Sequence, residues 1–238
     1  MLADQPLLDL GWIGAHAGDI ALRTLQHLGL GAMALAVGFA VAFALAMMAA
    51  GRPRLLAPLI TGAGVVYTIP SLALFAALVP FTGLSLLTAE IPLVLYTQLV
   101  LIRGISAGFA AAPPEVLEAA DGLGYTRRQR FLAVELPIAI PLIVAAVRLA
   151  SVSTIGLVMV VTLIGNNFGG LGLYIKEGIA SFFPTKVYVG AALSVSLALA
   201  SDFALARLER RLAPWAESHR DVQPGASAAL AGLDPIGA

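Results

Sequence analysis

The chain contains no cysteine and only 3 histidines among its 238 residues. The absence of cysteine excludes disulfide bonds and thiolate metal sites, and it leaves the redox compartment undetermined. The histidines, His16, His27 and His219, lie far apart in the sequence and form none of the close pairs that typify zinc sites. The sequence also lacks the glycine and lysine pattern of a P-loop. We therefore expect no metal and no nucleotide to be bound by this chain.

Charged residues are scarce as well. They make up 12% of the chain, against about 25% in an average soluble domain, whereas 59% of the residues are hydrophobic and the mean hydropathy is +0.92. The 14 basic and 14 acidic residues balance, which argues against nucleic-acid binding as a property of the whole chain. The first basic side chain is Arg23, so the sequence does not begin like a secretory signal. This composition predicts a polytopic membrane protein.

Long apolar stretches predict about five membrane-spanning helices, because each stretch provides the ~20 residues that a hydrocarbon layer of ~30 Å requires. The predicted spans are Leu28–Ala50, Leu55–Val79, Ile91–Ala112, Ile138–Ile164 and Lys186–Leu208. Two prolines, Pro58 and Pro70, interrupt the second span and are expected to bend it. After the fourth span, glycines break the pattern, and Leu173–Pro184 is predicted to be a short amphipathic helix or re-entrant piece. The fold class is thus an all-α transmembrane bundle.

The chain divides into three predicted regions. Residues 1–27 form an interfacial lead-in, whose Trp12 is of the residue type that favours the membrane–water boundary. Residues 28–214 form the transmembrane domain. Residues 215–238 form a flexible tail, because they are rich in Ala, Gly and Pro and offer little apolar surface to bury.

A charged island, residues 113–137, separates the third and fourth spans. Pro114 suits the first position of a helix, and a short helix is predicted over Glu115–Leu123. Gly124 falls where a helix ends in a residue with positive φ, and Thr126 with Gln129 has the spacing of a capping box for a second helix. We predict a helix–turn–helix, with a plain solvated loop as the alternative. Nothing in the island has the character of a catalytic site.

The spacing within the island is more specific than its charge. Glu118-Ala119-Ala120, then Gly124, then Val134 with Leu136-Pro137 resembles the EAA loop of permease subunits in bacterial ABC importers, with valine in place of the usual isoleucine. The resemblance implies that these residues form a coupling helix that docks into a groove on a cytoplasmic ATPase. A short amphipathic helix suits such a groove. The small Ala119 and Ala120 would permit close approach, and Leu123 would offer an apolar anchor.

The resemblance also implies partners. ATP and Mg²⁺ would be bound by two ATPase subunits, a second permease subunit, identical or paralogous, would complete the pathway, and an extracytoplasmic binding protein would deliver the substrate. Transport would follow alternating access across the inner membrane of a bacterial cell, in contact with lipid and without nucleic acid. This chain would supply no catalytic residue and no cofactor.

Basic residues predict the orientation. If the island is cytoplasmic, most basic residues fall on its side of the membrane, namely Arg52, Arg54, Arg127, Arg128, Arg130, Arg207, Arg210 and Arg211. Arg23, Lys176 and Lys186 fall on the other side. This positive-inside bias places the N-terminus outside and the C-terminus inside.

A second resemblance concerns the substrate. Residues 67–74, reading YTIPSLAL, resemble the corresponding segment of osmoprotectant permeases, which carry glycine betaine, choline or carnitine. Further similar segments are 153–155, 163–165, 170–172, 198–202 and 214–215, so the resemblance extends from Leu28 to Trp215. Asn166-Asn167-Phe168 departs from the glycine-rich run usual there. Methionine or another amino acid is the alternative cargo.

In that subfamily an aromatic cage on the separate binding protein holds the quaternary ammonium group, as cation–π attraction favours. The aromatic residues of this chain are therefore interpreted as core and interface residues rather than as a cage. They are Tyr67, Phe75, Phe81 and Tyr96.

Several polar residues within the spans are candidates for a pathway or gate. Arg148 lies well inside the fourth span, where a charge is costly unless it is paired or hydrated. Its alternative roles are to reach the headgroups or to clamp a neighbouring helix. Ser153 and Thr154 either line a pathway or pack helices together, and Pro70 with Ser71 either line it or support a bend.

Two other classes of protein were weighed. A self-contained secondary transporter would favour inverted repeats and intramembrane acids, but no repeat is visible, and Glu90 and Asp202 fall near the ends of predicted spans. An intramembrane enzyme would need a nucleophile or acid pair within the spans, and the sequence offers none that can be assembled.

Overall fold

The computed structural model describes residues 7–165 and 169–215, and within them every regular element is a helix. In chain order they are α1 (Leu10–Ala15), α2 (Ala17–Ala49), α3 (Pro53–Thr68), α4 (Ser71–Thr82), α5 (Leu86–Phe109), α6 (Pro114–Gly122), α7 (Arg127–Arg130), α8 (Leu136–Ile164), α9 (Gly172–Ala180) and α10 (Pro184–Leu212). One π-helical turn, Phe131–Glu135, joins α7 to α8. Residues 216–238 of the predicted tail and the Asn166–Phe168 departure lie outside the described residues.

Four helices among the described residues are long and apolar enough to cross a membrane: α2, α5, the continuous helix Arg127–Thr162, and α10. The pair α3 and α4 adds a fifth crossing if its two halves form one broken span. The predicted all-α bundle of about five spans is therefore confirmed. The helices begin earlier than predicted, since α2 starts at Ala17 rather than Leu28 and α5 at Leu86 rather than Ile91. The orientation of the termini stays a prediction.

The predicted second span consists of two separate helices rather than one bent helix. Its two helices meet at 93°, whereas Pro58 lies inside α3 and does not end it. The break falls at Ile69 and Pro70, both in extended conformation, with φ −70° and ψ 131° for Ile69. A residue before proline is driven out of the helical region by contact with the proline ring, so the helix ends at Thr68. Pro70 is then the N-cap of α4, which begins at Ser71.

The N-terminal lead-in packs against the end of the bundle. Asp9 caps α1 by accepting a hydrogen bond from the Trp12 N–H, and its own N–H donates to the Thr185 hydroxyl at 2.9 Å. The Trp12 ring is half-buried and meets Tyr174 and Phe183 edge-on, at centroid distances of 5.9 and 5.6 Å. The segment predicted to rest at the interface is thus docked on α9 and α10.

Helix α5 lies in the centre of the bundle, with α2 and α8 packed on it. The contact with α8 is close because both helices present small residues. A Cβ added to Gly104 would lie 2.2 Å from the Cβ of Ala146, so only glycine fits there. Small residues let membrane helices approach in this way. The tight α5–α8 pair holds the candidate site, which lies along α8.

Candidate functional site

The charged island has the helix–turn–helix structure that its sequence predicts. The first helix, α6, ends in a Schellman motif, in which Tyr125 N–H donates to Ala120 O and Gly124 N–H donates to Asp121 O. Gly124 has a φ of +80°, as this motif requires. Thr126 and Gln129 form the predicted capping box at the start of α7. The coupling role of the island stays a prediction.

The second helix of the island is the beginning of a span. Helix α7 passes through the π-helical turn into α8, with the Leu136 N–H donating to Phe131 O, so the chain is helical from Arg127 to Ile164. The prediction placed a separate short helix before a span that began at Ile138. The two are continuous because the π-helical turn directly before Pro137 adjusts the backbone hydrogen bonds where this residue has no N–H to donate. The island and the fourth span therefore share one continuous helix.

Arg130 fixes the two halves of the island to each other. Its Nη1 lies 2.6 Å from Asp121 Oδ2 at the end of α6, and its Nε lies 2.9 Å from Glu135 Oε1 in the π-helical turn. A planar guanidinium can hold two carboxylates in a defined geometry. The island is accordingly cross-linked by side chains as well as by backbone hydrogen bonds.

The residues of the EAA pattern lie on different sides of the island. Glu118 and Ala119 are exposed, whereas Ala120 is 4% exposed and faces the protein. Only Ala119 of the two small residues is thus available to a docking partner, contrary to the expectation for both. Leu123 is 77% exposed beside Gly124, which leaves a large apolar side chain uncovered on a charged segment. Leu136 and Pro137 are half-buried at the start of α8.

A cleft opens beside the break in the second span. It has a volume of about 370 Å³ and lies between the α3–α4 break, α5 and α8. Ser71, Ser153 and Thr154 line it together, although they come from two segments far apart in the sequence. Pro70 is exposed at the break itself. The structure therefore brings these predicted pathway residues to one place, and their role in transport stays a prediction.

Two tyrosines complete this cleft, and the sequence interpretation had named them only as core and interface residues. The rings of Tyr67 and Tyr96 meet edge-on at a centroid distance of 5.9 Å, and both line the cleft. The Tyr96 hydroxyl donates to the carbonyl of Ile69, which the helix break leaves without an intrahelical partner. The other two aromatics behave differently, since Phe75 is fully buried and Phe81 is 85% exposed. Only the proximity of Tyr67 to Pro70 hinted at this pairing.

The hydroxyl groups of Ser153 and Thr154 bond within their own helix. Ser153 Oγ donates to Leu149 O at 3.0 Å, and Thr154 Oγ1 donates to Ala150 O at 2.7 Å. Ser153 is half-buried at the cleft wall and Thr154 is buried. Both side chains line the cleft, together with the hydroxyl-bearing Ser71 and Thr97. The cleft can therefore offer hydroxyl and aromatic surface to a small polar molecule.

Arg148 lies outside the lining of the cleft. Its Nε and Nη2 bind both carboxylate oxygens of Asp202 at 2.9 and 3.1 Å, and its Nη1 binds Glu209 Oε2 at 3.0 Å. Both acids belong to α10, so the guanidinium joins α8 to α10 by three charge-assisted hydrogen bonds. This geometry corresponds to the helix-clamping alternative. A role of Arg148 as a gate remains a prediction, and no contact between Arg148 and the cleft supports it.

His27 packs α2 against neighbouring segments of the bundle. It is fully buried in α2, its Nε2 lies 3.0 Å from Ile155 O, and its Nδ1 lies 3.4 Å from Leu171 N. With the proton on Nε2 the ring satisfies both groups and ties α2 to α8 and α9. Among residues 7–165 and 169–215, no three Asp, Glu or His side chains are grouped as metal ligands.

Known proteins resemble this chain over most of its length. The carnitine transport permease protein OpuCB of Listeria monocytogenes is 34% identical over 198 residues, which are 83% of this chain and 90% of that protein. The osmoprotectant import permease protein OsmW of Salmonella typhimurium is 33% identical over 204 residues, 84% of this chain and 94% of that one.

Solved structures share the fold. The inward-facing MetNI methionine ABC transporter contains a chain that matches with a TM-score of 0.73 at 21% identity, over 83% of this chain and 98% of that one. A crystal structure of an amino acid ABC transporter with histidines matches with a TM-score of 0.69 at 20% identity, over 86% and 99%. At these identities the likeness concerns the fold alone.

The sequence profile of one family covers the described bundle. Residues 38–214 match the family described as the binding-protein-dependent transport system inner membrane component. This range contains the broken span, the cleft, the charged island and the α8–α10 clamp. The chain belongs to this family of inner-membrane transport components.

Proposed function

We propose that this chain is the permease subunit of a bacterial ABC importer for an osmoprotectant, namely glycine betaine, choline or carnitine. The assignment of an osmoprotectant as substrate rests on the similarity of this chain to osmoprotectant permeases. A choline transport system permease protein and a glycine betaine/carnitine/choline permease protein, both of Bacillus subtilis, are each 30% identical over 203 residues and 85% of this chain. The OpuCB and OsmW relatives point the same way.

The island is the proposed site of coupling to the ATPase. Its exposed Glu118, Ala119 and Leu123 provide a charge, a close approach and an apolar anchor on one short helix. The Arg130 ion pairs and the continuous α7–α8 helix support a mechanical role, because they connect this docking surface to the residues of the cleft. Closure of two ATPase subunits moves the two islands together and reorients α8.

The cleft is the proposed half of a translocation pathway. Quaternary ammonium ions are attracted to the faces of aromatic rings, and Tyr67 and Tyr96 place two rings beside the hydroxyls of Ser71 and Ser153. Tyr67 is 46% exposed in the single chain, which leaves room for a second permease subunit to close the pathway. The cleft offers only a few weak contacts, which suits a substrate that has to enter the pathway and leave it again.

An amino acid such as methionine is the second candidate substrate. The structural neighbours are methionine and amino acid transporters. At 20–21% identity, this likeness shows a shared fold and does not indicate the substrate. The relatives at 30% identity and above are named for osmoprotectants. We therefore favour the osmoprotectant.

Uptake measurements test this proposal. Cells that lack their own carriers express this chain together with the neighbouring ATPase and binding-protein genes, and they receive radiolabelled glycine betaine, choline, carnitine or methionine. We expect uptake of one or more of the first three compounds, and its loss when the ATPase gene is omitted. Uptake of methionine alone would overturn the substrate class, and uptake without the ATPase would overturn the mechanism.

A further inference from the structure

A large cavity lies at one end of the bundle, away from the cleft. Its volume is about 790 Å³, and it is enclosed by the end of α2, the start of α3, the end of α5 and the segment from α7 into the π-helical turn. The apolar spans α2 and α5 end there, at Ala49 and Phe109. The end of an apolar helix is where a membrane–water boundary is expected, so we place the cavity near the headgroups.

The rim of the cavity is strongly basic. Arg52, Arg127, Arg128 and Arg130 line it, against one carboxylate, Glu135. Arg130 is engaged by Glu135 and by Asp121, so its charge is balanced within the island. The other three arginines have no ion pair in the described part of the chain. An excess of guanidinium groups thus faces one space without a compensating anion.

The floor of the same cavity is apolar. Phe109 and Phe131 meet edge-on with a centroid distance of 5.7 Å, and both line the cavity together with Leu56 and Met47. A ligand that fits both the rim and the floor carries a negative charge at one end and hydrocarbon at the other. Guanidinium groups bind phosphate oxygens in pairs, which makes a phosphate the anion that this rim suits.

We propose that this cavity binds an anionic phospholipid, with the phosphate at the arginine rim and the upper part of an acyl chain against the phenylalanine floor. Basic pockets between membrane helices are suited to acidic headgroups in this way. The phosphate offsets one of the three positive charges of Arg52, Arg127 and Arg128, and it bridges the α2–α3 turn to the charged island. The lipid headgroup thereby braces the segment that leads into α8. A free phosphate would satisfy the rim but not the floor.

The test measures lipid binding to the full-length chain. The purified protein in detergent is mixed with phosphatidylglycerol or with phosphatidylcholine of the same acyl chains, and native mass spectrometry counts the bound lipids. Glycerol 3-phosphate serves as the probe for a free phosphate source. The variant Arg127→Gln/Arg128→Gln removes two rim charges that make no ion pair. The matched control, Arg210→Gln/Arg211→Gln, removes two charges from the last turn of α10, outside the cavity.

We expect the unaltered chain and the control to prefer phosphatidylglycerol, and the rim variant to bind it roughly thirtyfold more weakly, as the loss of two cationic contacts with an acidic headgroup implies. Glycerol 3-phosphate should not displace the lipid. The proposal would be overturned if the control lost as much phosphatidylglycerol binding as the rim variant, or if the unaltered chain bound phosphatidylcholine equally well. It would also be overturned if glycerol 3-phosphate displaced the lipid. Release of the lipid when the partner ATPase is added would overturn it too, because the cavity would then be a protein interface.

Discussion

At the scale of single residues, Arg148 is the clearest case of a charge made tolerable by its partners. One guanidinium holds Asp202 through two parallel hydrogen bonds and Glu209 through a third. The three side chains are 30%, 41% and 13% exposed, so the cluster is only partly shielded. Removing the arginine leaves two carboxylates facing each other on one side of α10. Repulsion and the lost clamp then act in the same direction.

We therefore predict that Arg148→Gln lowers the thermal unfolding midpoint and the uptake rate together. Arg148→Lys should be intermediate, because an ammonium cannot form the parallel pair with Asp202. The double variant Arg148→Gln/Asp202→Asn should recover part of the midpoint, since it also removes the Asp202 charge that Arg148 binds through two hydrogen bonds. Arg103→Gln is the control, as Arg103 is exposed on α5 and makes no ion pair among the described residues. Normal stability with abolished uptake in Arg148→Gln would instead favour a gate.

At the scale of elements, the island depends on one backbone conformation. Gly124 has a φ of +80° and ends α6, whereas Gly122 lies within α6 two residues earlier. A Cβ at either position meets no atom within 4 Å, so space does not distinguish them. Only the backbone angle does. An L-residue in the left-handed region costs about 1–2 kcal/mol, and a rearranged turn would shift Glu118 and Leu123 relative to α8.

Gly124→Ala is thus expected to lower substrate-stimulated ATP hydrolysis and uptake while the protein still inserts into the membrane. Gly122→Ala is the matched control, and it should leave both activities unchanged, with a stability gain of up to about 1 kcal/mol from the better helix former. ATPase assays on the reconstituted transporter measure the difference. Equal behaviour of the two variants would contradict a role for the turn conformation.

At the scale of the whole molecule, the orientation of the chain in the membrane can be measured by site-specific labelling. The positive-inside bias predicts a cytoplasmic island and an external α9–α10 turn. Because the chain has no cysteine, any single cysteine introduced into it is a unique label site. Leu123 in the island is 77% exposed, and Ser181 in the α9–α10 turn is exposed. Both positions are therefore accessible from their own side of the membrane.

In intact cells we expect a membrane-impermeant maleimide to label Ser181→Cys but not Leu123→Cys. After permeabilisation both variants should be labelled, and the cysteine-free parent should remain unlabelled throughout. Labelling is read as a mass shift on a gel. The reverse pattern would invert the topology and would remove the island from the reach of a cytoplasmic ATPase.

The sequence by itself determined the features that depend on near neighbours along the chain. The spans follow from local apolar length, and the turn of the island follows from Gly124 and the Thr126–Gln129 box, because hydrogen bonds between residues three to five apart specify them. The family resemblance rests on the same local spacing. For the break at Ile69, the sequence showed only Pro70 and predicted a bend. The proline ring restricts the residue before it, but it does not set the angle between the two helices.

Only the tertiary structure decided the features that join distant segments. Arg148 meets an acid 54 positions away, the Tyr96 hydroxyl reaches a carbonyl 27 positions away, and the basic cavity draws its walls from four segments. Such meetings depend on the angles and register at which helices pack, and those depend on many small contacts acting together, such as Gly104 against Ala146. No single local pattern encodes them, so the sequence could name Ser71, Ser153 and Arg148 as candidates without showing which of them share a site.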